Sequence, residues 1–200
     1  NDFLGSFSRM KNKSALRKQK LLERNLISLK DREKAEEKIS SLFFHTISNI
    51  ELRKISVYFS LKKEAPTNKI REHLVSSDID CYLPVINKDL NTRKMNFSKL
   101  EESTSLKRNS FNIFEPTEDK LIQTDELDLI LIPLVAFDEE GFRLGMGKGY
   151  YDHTLNDEEL KRTPILVGIA YDSQKVETCF PEAHDLKMDL LISPSKVYRF

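Results

Sequence analysis

Ile55-Ser-Val-Tyr-Phe59, a segment opened by Thr67 that carries Ile70 and Leu74, and Ile79-Asp-Cys-Tyr-Leu83 closed by Pro84 form the stretch on which the fold class turns. The first and third runs are short and rich in β-branched and aromatic residues, the composition of a half-buried pleated surface. Between them, Ile70 and Leu74 stand four residues apart, the repeat of one helix face. Strand, helix and strand in that order are the pattern of a parallel crossover unit. Downstream, Leu127 to Ile132 is the most apolar run and is expected at the sheet centre, buried on both faces. Ile165 to Tyr171 and Leu190 to Ser193 supply two more strands. Met95-Asn-Phe97 and Phe111-Asn-Ile-Phe114 are shorter and more polar at their edges, as edge strands or a hairpin would be. Upstream, Lys13 to Ile27 carries Leu16, Leu22 and Leu26 at helical spacing. Ser28 then caps a second helix, with Asp31 in its first turn. That helix runs to about Ser48 with Ala35, Ile39, Leu42, Phe43 and Thr46 on one stripe. Asn87 to Thr92 and Glu115 to Thr124 read as exposed loops. The expected fold is α/β: a mostly parallel sheet flanked by helices, with a helical N-terminal segment and short edge strands.

Composition narrows the function classes. Two hundred residues with 39% hydrophobic content suffice for one sizeable core. Lys plus Arg equals Asp plus Glu at 32 each, so no whole-molecule field draws in nucleic acid or an anionic membrane. Phosphate recognition, if present, must be local. Cys81 and Cys179 lie outside any Cys-x-x-Cys spacing, which argues against structural zinc or a redox pair and suits a reducing compartment. The longest apolar run, Leu129 to Phe137, is broken by Pro133 and is far short of the roughly 20 residues of a membrane span. Asn1 to Lys20 becomes basic without an apolar segment following, so no secretory signal is expected and the cytoplasm is the expected location.

One stretch is not explained by propensity: Phe137-Asp-Glu-Glu-Gly-Phe-Arg-Leu-Gly-Met-Gly-Lys-Gly-Tyr-Tyr-Asp152. Four of the six glycines fall between Gly141 and Gly149. Glycine permits positive φ and a close backbone approach to a ligand. Gly145, Gly147 and Gly149 in alternation can turn amide N–H groups toward one anion, and a helix starting near Tyr150 would add its positive end. Arg143 and Lys148 bring full charges, and the run follows a central strand, where α/β sheets bind ligands. The bland alternative is a chain reversal. Arg143, Lys148 and Asp152 within the same window favour a site. The spacing fits neither a Walker A loop nor the dinucleotide fingerprint.

Arg143-Leu-Gly-Met-Gly-Lys-Gly-Tyr-Tyr-Asp152, preceded by Pro133 and Phe137-Asp138, resembles the signature of the 5-formyltetrahydrofolate cyclo-ligase family, also called methenyltetrahydrofolate synthetase. Further matches occur in order along the chain. They run from Lys13-Ser-Ala-Leu-Arg17 through Tyr58-Phe-Ser60, Glu64 and Thr67, then Leu83-Pro84 and Glu115-Pro116. Gly168-Ile-Ala170, Gln174, and Pro181 through His184-Asp185 to Met188-Asp189 complete the series. The resemblance implies a single domain over residues 1–200, with 1–12 as a flexible extension. It also implies an ATP- and Mg²⁺-dependent ring closure. The formyl oxygen of 5-formyltetrahydrofolate takes the γ-phosphoryl group, the neighbouring nitrogen attacks, phosphate leaves, and 5,10-methenyltetrahydrofolate forms.

Carried over by the same resemblance, Lys13, Ser14, Ala15, Leu16 and Arg17 bind ATP together with Arg143, Leu144, Gly145, Met146, Gly147, Lys148, Gly149, Tyr150 and Tyr151. Phe59 and Glu64 meet the folate, an aromatic face for its rings and a carboxylate for its ring nitrogens. Met146, Gly147, Lys148, Gly149 and Tyr150 contact it as well, where the two substrates meet. Arg143, Lys148 and Tyr150 are the expected catalytic residues, although many relatives have glycine at the position of Lys148. Asp152 and Asp185 hold Mg²⁺ beside the phosphates, a hard ion suited to one or two carboxylates plus phosphate oxygens. The partners are then two small molecules, with neither nucleic acid nor membrane, acting on a monomer. Two rivals remain: a sugar-phosphate isomerase on a similar fold, and a non-catalytic nucleotide-binding module.

Overall fold

Leu129–Pro133 is flanked by a parallel neighbour on each side, and the sheet grows outward from it in the computed structural model, which describes residues 12–61, 63–87, 93–110, 112–117 and 120–200. In chain order the elements are α1 (Lys13–Asn25), α2 (Leu29–Ile47), β1 (Lys54–Ser56), α3 (Asn68–Val75), β2 (Asp80–Ile86), β3 (Met95–Lys99), β4 (Leu106–Arg108), β5 (Phe114–Pro116) and β6 (Leu121–Ile122). Then come β7 (Leu129–Pro133), β8 (Ala136–Phe137), β9 (Arg143–Leu144), α4 (Tyr150–Leu155), β10 (Ile165–Ile169), β11 (Leu190–Ile192) and β12 (Val197–Arg199). The main sheet has the order β12-β11-β10-β7-β1-β2-β3-β6. Its interior pairs are parallel, and β12, β3 and β6 join antiparallel at the edges. The β1–α3–β2 unit is the expected parallel crossover.

β7 is apolar throughout, and Leu129 to Ile132 are fully buried between layers while Pro133 is half-buried. One layer of core joins Leu129 and Leu131 to Ile39 and Phe43 of α2 and to Ile70 and Leu74 of α3. The other joins Ile130 and Ile132 to Phe97, Leu127 and Leu155. Of the expected α2 stripe Ala35, Ile39 and Phe43 are buried, Leu42 and Thr46 are half-buried, and Ile47 completes the buried face; Ser28 caps the helix by accepting from the Asp31 amide.

Several expectations need correction. Leu22 and Leu26 are 60% and 84% exposed, so the leucine spacing of α1 does not mark a core face; Leu16 and Arg24 are its buried residues. Asn12 belongs to the fold rather than to an extension, because its side chain caps α1 by accepting from the Ala15 amide; residues 1–11 lie outside the described residues. Glu115 to Thr124 is not simply an exposed loop. It contributes β5 and β6, and both Glu115 and Thr124 are buried. The strand expected at Phe111 to Phe114 shifts to β5, which pairs with β4 in a separate hairpin; Phe111 lies outside the described residues, as do residues 88–92 of the Asn87 to Thr92 loop. Among the described residues no helix is long and apolar enough to cross a membrane.

Candidate active site

After β7 the chain makes a short hairpin, β8–β9, before entering the glycine run. Asp138 fixes its turn, accepting from the amides of Glu140 and Phe142 and, with its other oxygen, from Cys179. The glycine loop is thereby launched from beyond the carboxyl end of the central strand, where open α/β sheets bind ligands. Gly147 has φ +86°, and Gly149, which caps α4, has φ +74°. Side chains other than glycine rarely adopt this backbone region. A methyl on Gly147 would sit 3.4 Å from Arg17 Cζ. Arg17 in turn donates from Nε to the Gly145 carbonyl at 2.8 Å. The loop thus rests on an α1 cation. At six residues, α4 is too short for a substantial macrodipole.

The loop borders a cleft of about 830 Å³. One part is ionic. Lys13 pairs with Asp185 and with Glu182, and Arg143 pairs with Asp152 at 3.0 Å. Burial pushes the Asp185 carboxyl up, but the hydrogen bonds from Lys13 and from the Glu182 amide outweigh it and hold the group below its usual range. The bonds to Asp185 fall on Oδ2 and those to Asp152 on Oδ1. No group of three or more metal-ligating side chains occurs among the described residues. Two carboxylates on one cleft wall do fit a magnesium ion that arrives with phosphate oxygens and water, which needs few protein ligands.

Another part is apolar and aromatic. Phe59 and Phe114 meet with ring centroids 5.5 Å apart, and the Arg71 guanidinium lies over Phe59 at 4.4 Å. Arg108 covers Phe114 at 4.2 Å. Glu64, 7% exposed, accepts from the Leu61 amide at 2.9 Å. Burial raises its carboxyl above the usual range, against the Leu61 bond and the charges of Arg24 and Arg32. Burial, helped by Glu64, pushes the Tyr151 phenol up as well.

The cleft is lined by Lys13, Arg17, Phe59, Glu64, Asp152 and Asp185, and by every residue from Arg143 to Tyr151. Ser14, Ala15 and Leu16 do not line it. Leu16 is 4% exposed and packs with Ala136, Leu144 and Cys179, so its role is to seat α1. Arg143 also departs from a simple phosphate grip: its side chain is only 4% exposed and is turned to Asp152 and the Leu186 carbonyl. Met146, Gly147 and Lys148 are exposed at the cleft mouth. Sequence reading missed Phe114, Arg93, Asn109 and His153, which also line the cleft. None of them lies in a spaced motif, and only the fold brings them together.

Comparison with known proteins places the family. The model of the 5-formyltetrahydrofolate cyclo-ligase family matches residues 9–194. The 5-formyltetrahydrofolate cyclo-ligase of Haemophilus influenzae is 34% identical over 171 residues, covering 84% of this chain and 90% of the relative. That of Escherichia coli is 36% identical over 149 residues, covering 73% and 80%. Among solved structures, the 5,10-methenyltetrahydrofolate synthetase of Aquifex aeolicus superposes with a TM-score of 0.80 at 29% identity, over 94% of this chain and 92% of that one. The 5,10-methenyltetrahydrofolate synthetase of Mycoplasma pneumoniae gives 0.71 at 28% identity, over 90% and 97%. Sequence, fold and cleft converge, and the chain belongs to the 5-formyltetrahydrofolate cyclo-ligase family.

Proposed function

We propose that the protein closes the ring of 5-formyltetrahydrofolate to 5,10-methenyltetrahydrofolate at the expense of ATP. The observation that carries this is one cleft lined together by the Lys13–Asp185 and Arg143–Asp152 pairs, the glycine loop and the Phe59–Phe114 aromatic pair. A sugar-phosphate isomerase has no use for the Phe59–Phe114 pair, and a passive nucleotide module has none for the buried Glu64 that lines the same cleft. Balanced charge fits small-molecule substrates without nucleic acid or membrane. In this reading the protein is a cytoplasmic monomer built as one domain.

The chemistry follows from the poor leaving ability of an amide-like oxygen. The formyl oxygen attacks the γ-phosphorus, the bond to the β,γ-bridging oxygen breaks, and ADP departs. The folate nitrogen N10 then attacks the activated carbon, its proton passes to solvent, and the carbon–oxygen bond breaks to release phosphate. Phosphoryl transfer needs mainly positioning and positive charge. Lys13, Arg17 and Lys148 supply the charge along the triphosphate, and the amides of Gly145 to Gly149 supply donors. Arg143 orients Asp152. Tyr150 stands at the junction of the two substrates and orients the reacting groups. Bound magnesium, held by Asp152 and Asp185, would neutralise phosphate charge. Glu64 accepts from the folate ring nitrogens, and Phe59 and Phe114 exclude water from the folate rings.

The test is absorbance-monitored conversion of 5-formyltetrahydrofolate by purified, folded protein. Methenyl product that depends on both ATP and Mg²⁺ is expected. Its absence at saturating concentrations of both would refute the proposal.

A further inference from the structure

Besides Glu64, a second buried carboxylate lines the cleft: Glu115 of β5, 6% exposed. Its Oε1 accepts from the Ile86 amide of β2 at 2.9 Å and from Asn109 Nδ2 at 2.8 Å. The first bond answers a gap in the main sheet. Alternate residues of a strand turn their backbone groups to the same neighbour. Tyr82 turns its carbonyl to the β1 side, where the Val57 amide donates to it at 2.9 Å, so Pro84 and Ile86 face that side too. β1 pairs with β2 only from Asp80 to Tyr82, and Pro84 has no N–H. The Ile86 amide therefore lies beyond the reach of β1, and the Glu115 carboxylate takes the place of the missing strand.

The second bond holds the turn of the hairpin. Asn109 Oδ1 accepts from the Ile113 amide at 3.1 Å, and the Asn109 amide donates to the Ile113 carbonyl at 2.9 Å. Among the described residues β4 and β5 pair only with each other, and a two-stranded hairpin is marginal without an anchor. Asn109, Ile113 and Phe114 of this hairpin line the cleft, and Phe114 meets Phe59 there. One carboxylate oxygen thus joins the main sheet to the turn that walls the cleft. We infer that Glu115 is a positioning residue: it fastens the β4–β5 hairpin to β2 and so holds Ile113 and Phe114 against the bound folate. This rests on the proposed function, in which the Phe59–Phe114 pair meets the folate rings. Both partners of Glu115 are neutral N–H donors, so the position requires an acceptor of this reach rather than a charge.

The experiment compares Glu115→Gln, Glu115→Asp, Glu115→Ala, Phe114→Ala and the Glu115→Asp/Phe114→Ala pair. Hydrogen exchange at the Ile86 amide is followed by NMR in the ligand-free protein, and the KM values for 5-formyltetrahydrofolate and ATP are measured. Gln keeps the oxygen and the reach but loses the charge, whereas Asp keeps the charge and loses the reach. Glu115→Gln should therefore exchange like the wild type and hold the folate KM within about twofold. Glu115→Asp and Glu115→Ala should speed Ile86 exchange about tenfold or more. They should raise the folate KM about tenfold, the scale of one hydrogen bond to a charged group, with the ATP KM unmoved. Glu115→Asp serves should the Ala variant not fold. Phe114→Ala should raise the folate KM by itself, and the pair should lose clearly less than the two losses together. A Glu115→Gln enzyme as impaired as Glu115→Asp would show that the charge itself meets the substrate. Wild-type Ile86 exchange in Glu115→Asp would show that the tether is not made. Either result overturns the inference, as does an ATP KM that rises in step with that for folate. If Ile86 exchange responds as expected while Phe114→Ala leaves the folate KM unchanged, it is the placement of folate at this wall that fails, and the role of Glu115 toward it falls with it.

Discussion

Asp152→Asn should reveal that the proposed metal ligand is also a structural counter-ion. The Arg143 side chain is 4% exposed and Asp152 24%, with 3.0 Å between them. Arg143 Nε has no other partner to compensate. Breaking a buried ion pair costs about 3–5 kcal/mol when one charge is left alone. Here the amide retains an acceptor for Nη2, and Asp152 is partly wet, which lowers the cost to about 2 kcal/mol. For a chain of this length each kcal/mol shifts the melting temperature by roughly 2–4 °C, so a fall of about 4–8 °C is expected. It should appear without nucleotide or metal. In parallel, the Mg²⁺ concentration needed for half-maximal turnover should rise steeply. Thermal melts of the ligand-free variant and a Mg²⁺ titration of its activity read the two effects separately. A variant that melts with the wild type would refute the structural pairing. An unchanged Mg²⁺ requirement would refute the metal assignment.

Other outcomes follow from the cleft. Glu64→Gln should weaken 5-formyltetrahydrofolate binding by about ten- to a hundredfold and leave ATP affinity, measured alone by calorimetry, unmoved; the opposite pattern would place Glu64 at the wrong substrate. Lys148 is exposed at the mouth, so Lys148→Gly should keep measurable turnover, losing mainly ATP affinity. Arg143→Ala should lose about a hundredfold or more; steady-state kinetics at saturating ATP that rank the two the other way would contradict this. Gly147→Ala forces a methyl into a φ of +86° beside Arg17 and should weaken ATP binding about tenfold, from roughly 1–2 kcal/mol of strain. Gly145 has open space around it, so Gly145→Ala should melt with the wild type, and equal destabilisation of the two would count against the loop geometry.

The parts of the fold legible in the sequence are those with long apolar runs or clear periodicity. β7 reads as central because nothing polar interrupts Leu129 to Ile132, and α2 because its stripe spans the whole helix. β8 and β9 have two residues each, too short for any period. α1 misleads for a physical reason: only a narrow side of it seats on Ala136, Leu144 and Cys179, so Leu22 and Leu26 stay in water while Arg24 is enclosed. The glycine loop was visible because its parts are contiguous. Phe114, which meets Phe59 from a separate hairpin, carries no local mark of its place in the cleft.

The central claim is that the formyl oxygen is made a leaving group by phosphorylation. A heavy-oxygen label placed on the formyl group of 5-formyltetrahydrofolate follows that oxygen directly. After turnover with unlabelled ATP and Mg²⁺, the label should be found in inorganic phosphate, one oxygen per methenyl product formed, with ADP unlabelled. Label released into water, with unlabelled phosphate, would show that the oxygen leaves without ever being phosphorylated.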